Sequence, residues 1–348
     1  MKKIVIHRPG GYERLKIEEH PDLIAKPGEV IVEARGMGVN YADCCVRWGV
    51  YESAKKFVGW PITPGFEFAG RVKSIGSGVT KFHVGDSVFG ITLFNGYSTQ
   101  IAVTEDLIFA LPKGLKFEEA AGFPAVYMTA YHALHQLVRI RKGGTVLIHS
   151  AAGGVGTALL QLCRIEGLRT IAVVRGHHKI ETAKEFGADV VIDKGSQDLW
   201  KEVELAAPHG LDAVFDANGF ETLQKGYEHL APTGKLIVYG AHNLLPKTGG
   251  KLNFFKLITG YLKIPKYNPM KLISDNKSVV GFNISFLFMR KDLLTEGMTQ
   301  LLKWLDEGKI IPPKITLFPM TDVALAHKSI ESGQSVGKLI LVSERRTD

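Results

Sequence analysis

Between residues 145 and 166 the chain carries a pattern that few architectures can accommodate. A β-branched, apolar run, Thr145–His149, leads directly into Ala151-Ala152-Gly153-Gly154-Val155-Gly156, and a helical stretch follows over Val155–Glu166. A strand apolar on both sides, a glycine-rich turn and an amphipathic helix form the first half of a βαβ unit. Glycine there permits a tight turn, close approach of backbone N–H groups to a pyrophosphate, and close helix–strand packing. The helix N-terminus adds partial positive charge. A glycine-rich loop without a ligand is the alternative. The flanking strand and helix, with a second strand ending about 20 residues later, favour a dinucleotide site. Ala152, Gly153, Gly154, Val155 and Gly156 are its candidate contacts.

The cycle then repeats. A strand is expected over Thr170–Val174, a helix over Lys179–Phe186, and strands over Ala188–Ile192, Leu211–Phe215 and Lys235–Tyr239. Strands alternating with helices imply an α/β doubly wound parallel sheet covered on both faces. The region before residue 120 differs, with short runs such as Ile4–Ile6, Glu29–Ala34, Gly70–Ile75 and Val88–Thr92 between Gly, Pro and Asp turns. It reads as a barrel-like β module. From Met298 the pattern is helix (Met298–Glu307), strand, helix (Asp322–Ser332), strand (Lys338–Val342), too little for a domain and suited to completing the first module. The expected division is therefore 1–124, 125–284 and a return segment 285–348.

The second strand of the βαβ pattern ends at Arg175, with His177, His178 and Lys179 beyond it. A carboxylate there would bind ribose hydroxyls and repel a 2′-phosphate, whereas a guanidinium holds that phosphate with charge-assisted hydrogen bonds. The expectation is NADPH, against the alternative of a solvated basic loop. Lys194, past the next strand, is a second candidate. Asn218, Tyr239 and Gly240 lie at the carboxyl ends of later strands, where such sheets bind ligands.

Composition excludes several classes. Among 348 residues, 45% are hydrophobic and 22% charged, which rules out a disordered chain, a collagen-like repeat or a coiled coil. The net charge of +8 favours anionic partners, but no Lys/Arg block marks a nucleic-acid surface. Three cysteines make no disulfide framework, so a reducing, cytoplasmic setting is expected. His7 and Arg8 break the first apolar run short of a signal peptide, and no run is long enough to span a membrane.

Five ordered motifs carry a resemblance over nearly the whole chain. They are Gly38-Val39-Asn40-Tyr41-Ala42-Asp43, Pro64–Val72, Gly76-Ser77-Gly78-Val79, Val84–Val88 and Ala151–Gly156, with Gly337-Lys338-Leu339-Ile340-Leu341 completing the set. Together they resemble the medium-chain dehydrogenase/reductase superfamily, which joins a GroES-like catalytic module to a Rossmann domain. Zinc alcohol dehydrogenases are similar but have Cys where Asn40 stands and His where Phe66 stands. A catalytic zinc needs about three N, S or carboxylate ligands, and the cysteine cluster of a structural zinc lobe is missing, so no metal is expected. Cys44, Cys45 and Cys163 read as small buried hydrophobes.

Asn40–Asp43 with Arg47, Gly49 and Tyr51 is similar to the zinc-free branch, the quinone reductases related to zeta-crystallin. Ser278–Ser285 resembles the vesicle amine transport protein 1 (VAT-1) homologues more closely. Several quinone reductases have Tyr where this chain has Cys45. The resemblance implies hydride transfer from NADPH to a quinone or α,β-unsaturated carbonyl, with Asn40 and Tyr41 as hydrogen-bond donors to the reacting oxygen. For Asn40 the alternative is a loop cap. It also implies Thr129 near the nicotinamide, unless Thr129 only packs its helix, and Phe282 and Asn283 completing the nicotinamide side.

Two further expectations concern surfaces. In Leu252–Ile273, Phe254, Leu257, Ile258, Tyr261 and Leu262 share a helical face among Lys251, Lys256, Lys263 and Lys266. It suits a peripheral contact with an acidic membrane, a substrate lid, or a helix on its own core. Val279–Phe286 reads as an apolar edge strand that a second subunit covers, giving a homodimer. The competing functional reading is a VAT-1-like membrane or vesicle adaptor that keeps the nucleotide fold with little turnover.

Overall fold

In the computed structural model, residues 1–244 and 254–343 are described. Six parallel strands form one sheet, in the order Val190–Asp193, Arg169–Val174, Thr145–His149, Leu211–Asp216, Leu230–Val238 and Ser278–Gly281. The order reverses between Thr145–His149 and Leu211–Asp216, which opens a crevice at their carboxyl ends. Alternation along each strand feeds two cores. Val146, Ile148, Ala172, Ala213 and Phe215 pack with Ala158, Leu159 and Leu162 of the helix Gly154–Ile165. Leu147, Ile171, Val173, Val214 and Leu236 pack on the other side with Val203, Leu223 and Tyr227. With apolar residues pointing both ways, this sheet folds only between two helical layers.

The second sheet has the order Ile315–Pro319, Lys338–Val342, Glu29–Val39, Glu67–Ile75, Ser87–Ile91 and Ile108–Ala110, and Gln100–Thr104 also pairs with Glu29–Val39. The long strand Glu29–Val39 shifts register against Glu67–Ile75 at Ile31/Val32 and again at Ala34/Gly36. Its first half pairs with Gln100–Thr104 and its second half with Lys338–Val342. Such irregularities bend a strand and let one sheet curl towards a barrel. The antiparallel pairing of Leu339 with Val39 brings the C-terminal return beside Asn40. The helix Lys291–Asp306 packs on Pro124–Tyr131, where a Cβ on Gly297 would sit 2.7 Å from Met128 Cε.

Two expectations are corrected here. The apolar run Val279–Phe286 is a strand only over Ser278–Gly281; Asn283 then caps a 3-10 turn, Ile284–Met289, by accepting the Ser285 N–H. Side-chain capping competes with extending the strand ladder. The 252–273 segment is two helices, Phe254–Leu262 and Pro269–Asp275, because Pro265 cannot continue a helix and Asn268 caps a new one. Leu252 and Lys251 lie outside the described residues, as do the side chains of Phe254 and Lys256.

Candidate active site

Asn40 stands where the strand Glu29–Val39 ends and the helix Tyr41–Trp48 begins, in extended conformation at the N-cap. Its backbone N–H donates to Asp43 Oδ2 at 2.8 Å. Its side chain faces a buried ion pair. Lys338 Nζ lies 2.5 Å from Glu67 Oε1 and donates to Asn40 Oδ1, also at 2.5 Å. Asn40 Nδ2 donates to the same Glu67 oxygen at 3.0 Å, and the other Glu67 oxygen accepts the N–H of Ala125 at 2.8 Å. Glu67 therefore ties the catalytic module to the start of the helix Pro124–Tyr131. Asn40 is thus both a helix cap and an amide held at the junction of the two modules.

The helix bearing Asn40 and Tyr41 is anchored from below. Asp43, fully buried, accepts from Gly65 N–H and Tyr97 Oη, and burial pushes its carboxyl up to about 7. Arg47 forms a buried ion pair with Glu331 at 2.7 Å and lies 3.0 Å from His327 Nδ1. Because a guanidinium only donates, His327 Nδ1 accepts and its proton sits on Nε2, which faces Tyr97 Oη at 3.3 Å. Burial, then the Arg47 charge, holds that imidazole neutral.

Tyr41 packs its ring on His242 at 4.0 Å between centroids, so catalytic helix and nucleotide-side loop touch. Burial raises the Tyr41 hydroxyl far above its usual range and lowers His242 to about 4. Tyr51 donates to Asn283 Oδ1 at 2.9 Å, and that oxygen also accepts from Ser285 N and Oγ. The Asn283 carbonyl is thus engaged within the protein, joining the two modules. Phe282 stacks on Tyr239 and meets His132 edge-on. The Thr129 hydroxyl donates to Ala125 C=O at 2.6 Å, the packing role left open above.

The glycines of the nucleotide loop differ in duty. A Cβ on Gly156 would lie 2.5 Å from both Ala151 Cα and Ser150 O, and one on Gly154 would lie 2.7 Å from Val126. Gly153 has only Ser150 O near, at 3.3 Å, which leaves its backbone approachable. The Ala152 carbonyl accepts from Gly337 N–H, and Val155 lies in the helix's first turn. Gly240 closes on the Ala217 carbonyl. Asn218 is buried at the end of Leu211–Asp216, and its Nδ2 has no partner among the described residues. A buried amide donor in that state fits a polar ligand in the crevice.

Arg175 is exposed at the end of Arg169–Val174, and Gly176 follows with φ of 105°. Lys179 is buried with Nζ donating to Gly333 O; burial and the nearby Lys194 charge lower its pKa. Asp193, the neighbouring carboxylate, is occupied by the N–H groups of Gly176 and Gly195. Cations gathered at this strand end, with the carboxylate engaged by backbone, fit the 2′-phosphate of NADPH.

The donors do not fit zinc. Asn40 and Glu67 are bound to Lys338, whose ammonium sits where a second cation would have to approach, and Phe66 has no donor atom. Cys44, His327 and Glu331 group closely, but the Arg47 guanidinium already fills the charge requirement of that cluster.

Residues 26–142 match the alcohol dehydrogenase GroES-like domain family, and residues 154–295 the zinc-binding dehydrogenase family. The synaptic vesicle membrane protein VAT-1 homolog of Danio rerio is 33% identical over 344 residues, covering 99% of this chain and 70% of that protein. A 2-haloacrylate reductase from Burkholderia is 29% identical over 354 residues, 98% of each chain. The crystal structure of Escherichia coli quinone oxidoreductase complexed with NADPH superposes with a TM-score of 0.83 at 25% identity, over 98% of this chain and 100% of that one. Fold, site and relatives define a medium-chain dehydrogenase/reductase, an oxidoreductase family. Within it, the chain belongs to the zinc-free, quinone-oxidoreductase-like VAT-1 subgroup.

From sequence, Glu67 is a lone carboxylate that does not by itself make a metal site, and Lys338 is only a member of the motif Gly337–Leu341. Glu67 had a signal, a lone charge inside the apolar run Gly65–Gly70. Nothing local links Lys338 to the site, since its partner lies 271 positions away, from 67 to 338.

Proposed function

We propose that this protein is an NADPH-dependent reductase that passes hydride to a quinone or an α,β-unsaturated carbonyl without a metal. The observation that carries the reading is the Asn40 amide, fixed at the module junction in a donor set that suits an oxyanion and not a zinc ion. When bound, the reduced nicotinamide supplies the hydride. Gly153, Val155 and the helix N-terminus receive the pyrophosphate, and Arg175 with Lys194 and Lys179 receives the 2′-phosphate. Thr129, Asn218, Tyr239, Gly240, Phe282 and Asn283 shape the nicotinamide end. Asn40 and Tyr41 hold the oxygen on which negative charge grows, and solvent returns the proton. Acceptors that delocalise that charge need no Lewis acid. The names of the Burkholderia and E. coli relatives support this substrate class.

The test is NADPH oxidation against p-benzoquinone and cyclohexenone, with NADH as comparison. Turnover that prefers NADPH is expected; no oxidation with any acceptor refutes the reading.

A second reading, a membrane-associated adaptor, is favoured by one observation. Ile258, Tyr261, Leu262, Met270 and Ile273 are 60–76% exposed beside Lys263, Lys266 and Lys271. No helix among the described residues is long and apolar enough to cross a membrane. Co-sedimentation with phosphatidylserine vesicles, in a protein without turnover, would establish that reading instead. We further propose a homodimer through Ser278–Gly281, which among the described residues pairs only with Leu230–Val238. A monomeric mass by light scattering at micromolar concentration refutes it. The free thiols of Cys44, Cys45 and Cys163 suit a cytoplasmic location.

A further inference from the structure

An amide side chain can be inverted by a half-turn about its last bond, exchanging a donor for an acceptor. In Asn40 that ambiguity is removed by two charged neighbours. Lys338 only donates, and it faces Oδ1 at 2.5 Å. Glu67 accepts, and it faces Nδ2 at 3.0 Å. Inverting the amide would set NH2 against an ammonium and a carbonyl oxygen against a carboxylate, two repulsive contacts at once. Nδ2 carries two hydrogens, and Glu67 takes one. No described residue takes the other. Asn40 is half-buried, so that hydrogen remains reachable from the cleft.

The surroundings keep this arrangement in place. Lys338 and Glu67 are 3% and 0% exposed. The second Glu67 oxygen is pinned by the Ala125 N–H. Two glycines leave the room: a Cβ on Gly38 would overlap Glu67 Oε1, and one on Gly122 would fall 2.9 Å from Lys338 Cγ.

We infer that Lys338 and Glu67 are positioning residues that lock the Asn40 amide with one N–H directed at the acceptor oxygen. The inference rests on the reductase reading and adds two residues, from strands distant in sequence, that set the polarity of its oxyanion donor. Their action runs through Asn40 and touches neither the nucleotide nor the acceptor.

The test compares wild type, Asn40→Ala, Lys338→Met and the Asn40→Ala/Lys338→Met double variant, reading kcat and KM for p-benzoquinone together with NADPH affinity by fluorescence. Lys338→Met should lower kcat by about a hundredfold, the scale of losing one oxyanion donor. KM and NADPH affinity should move by less than about threefold, the pattern of an interaction made in the transition state. In the double variant the loss should equal that of Asn40→Ala alone, since residues acting as a unit are not additive. Should Lys338→Met fail to fold around an unpaired Glu67, the charge-balanced Glu67→Gln/Lys338→Met pair replaces it, with the same kcat loss expected. Unchanged kcat, multiplying losses in the double variant, or a parallel fall in NADPH affinity overturns the inference while leaving the reductase reading intact. A wild type that binds NADPH yet reduces nothing overturns the reading, and the inference with it.

Discussion

Replacing Glu331 by Gln removes one charge from the pair that clamps the catalytic helix Tyr41–Trp48 onto the C-terminal helix Val323–Glu331. Glu331 Oε1 lies 2.7 Å from Arg47 Nη2, and neither side chain is exposed to solvent. The other Glu331 oxygen accepts from Tyr12 Oη, and Arg47 also donates to Gly10 O. At a charge separation of about 4 Å and an effective dielectric of about 20, the attraction is about 4 kcal/mol. Water cannot reach the guanidinium to replace it, and His327, held neutral, offers no countercharge. Breaking a buried pair from one side costs about 3–5 kcal/mol. Glu331→Gln should therefore lose that much in urea unfolding followed by circular dichroism and tryptophan fluorescence. Replacing Arg47 and Glu331 together by Met should cost far less, because both desolvation penalties vanish with the charges. A loss in Glu331→Gln below about 1 kcal/mol, the range of an exposed pair, would refute the reasoning.

Three further outcomes follow from the same geometry. Arg175→Ala should weaken NADPH binding by about tenfold, the scale of one charge-assisted hydrogen bond at an exposed site, while NADH binding stays unchanged; equal losses for both nucleotides in fluorescence titrations would count against the 2′-phosphate assignment. Gly156→Ala sets a methyl 2.5 Å from Ala151 Cα and should cost about 1–3 kcal/mol of stability as well as nucleotide affinity; a variant with wild-type urea midpoint and NADPH affinity would contradict it. His149 and His327 are fully buried and neutral. Burial drives His149 down to about 4, with Asp216 opposing and Lys194 assisting. The unfolded chain binds protons at these positions and at His242 from about pH 6.5 downward and the native state does not, which lowers stability as pH falls; Asp43, held up at about 7, is protonated in the native state over the same range and offsets about one of these groups. The slope is about 1.4 kcal/mol per pH unit for each group, and a flat urea-stability profile from pH 7 to 5 would exclude it.

Much of the fold was legible because its signals are local. The loop Ala151–Gly156 sits between a strand and a helix that hydrophobic periodicity alone places within a residue or two. The return of Lys338–Val342 to the first module could be anticipated because two strands and two helices cannot bury a core alone. Val279–Phe286 misled for a local reason as well: apolarity suggested strand, while the Asn283 side chain, satisfied by Ser285 and by Tyr51 from the other module, ended it. Asn40 was legible as a motif residue, but its orientation was not. That depends on Lys338 and Glu67, and on Gly38 and Gly122 yielding space for them. Order along the chain determined which strands, turns and helices form, since backbone propensity and period act over a few residues. The polarity of the site was decided only in three dimensions, because a buried charge selects its partner by distance and shielding from water, neither of which is written in sequence separation.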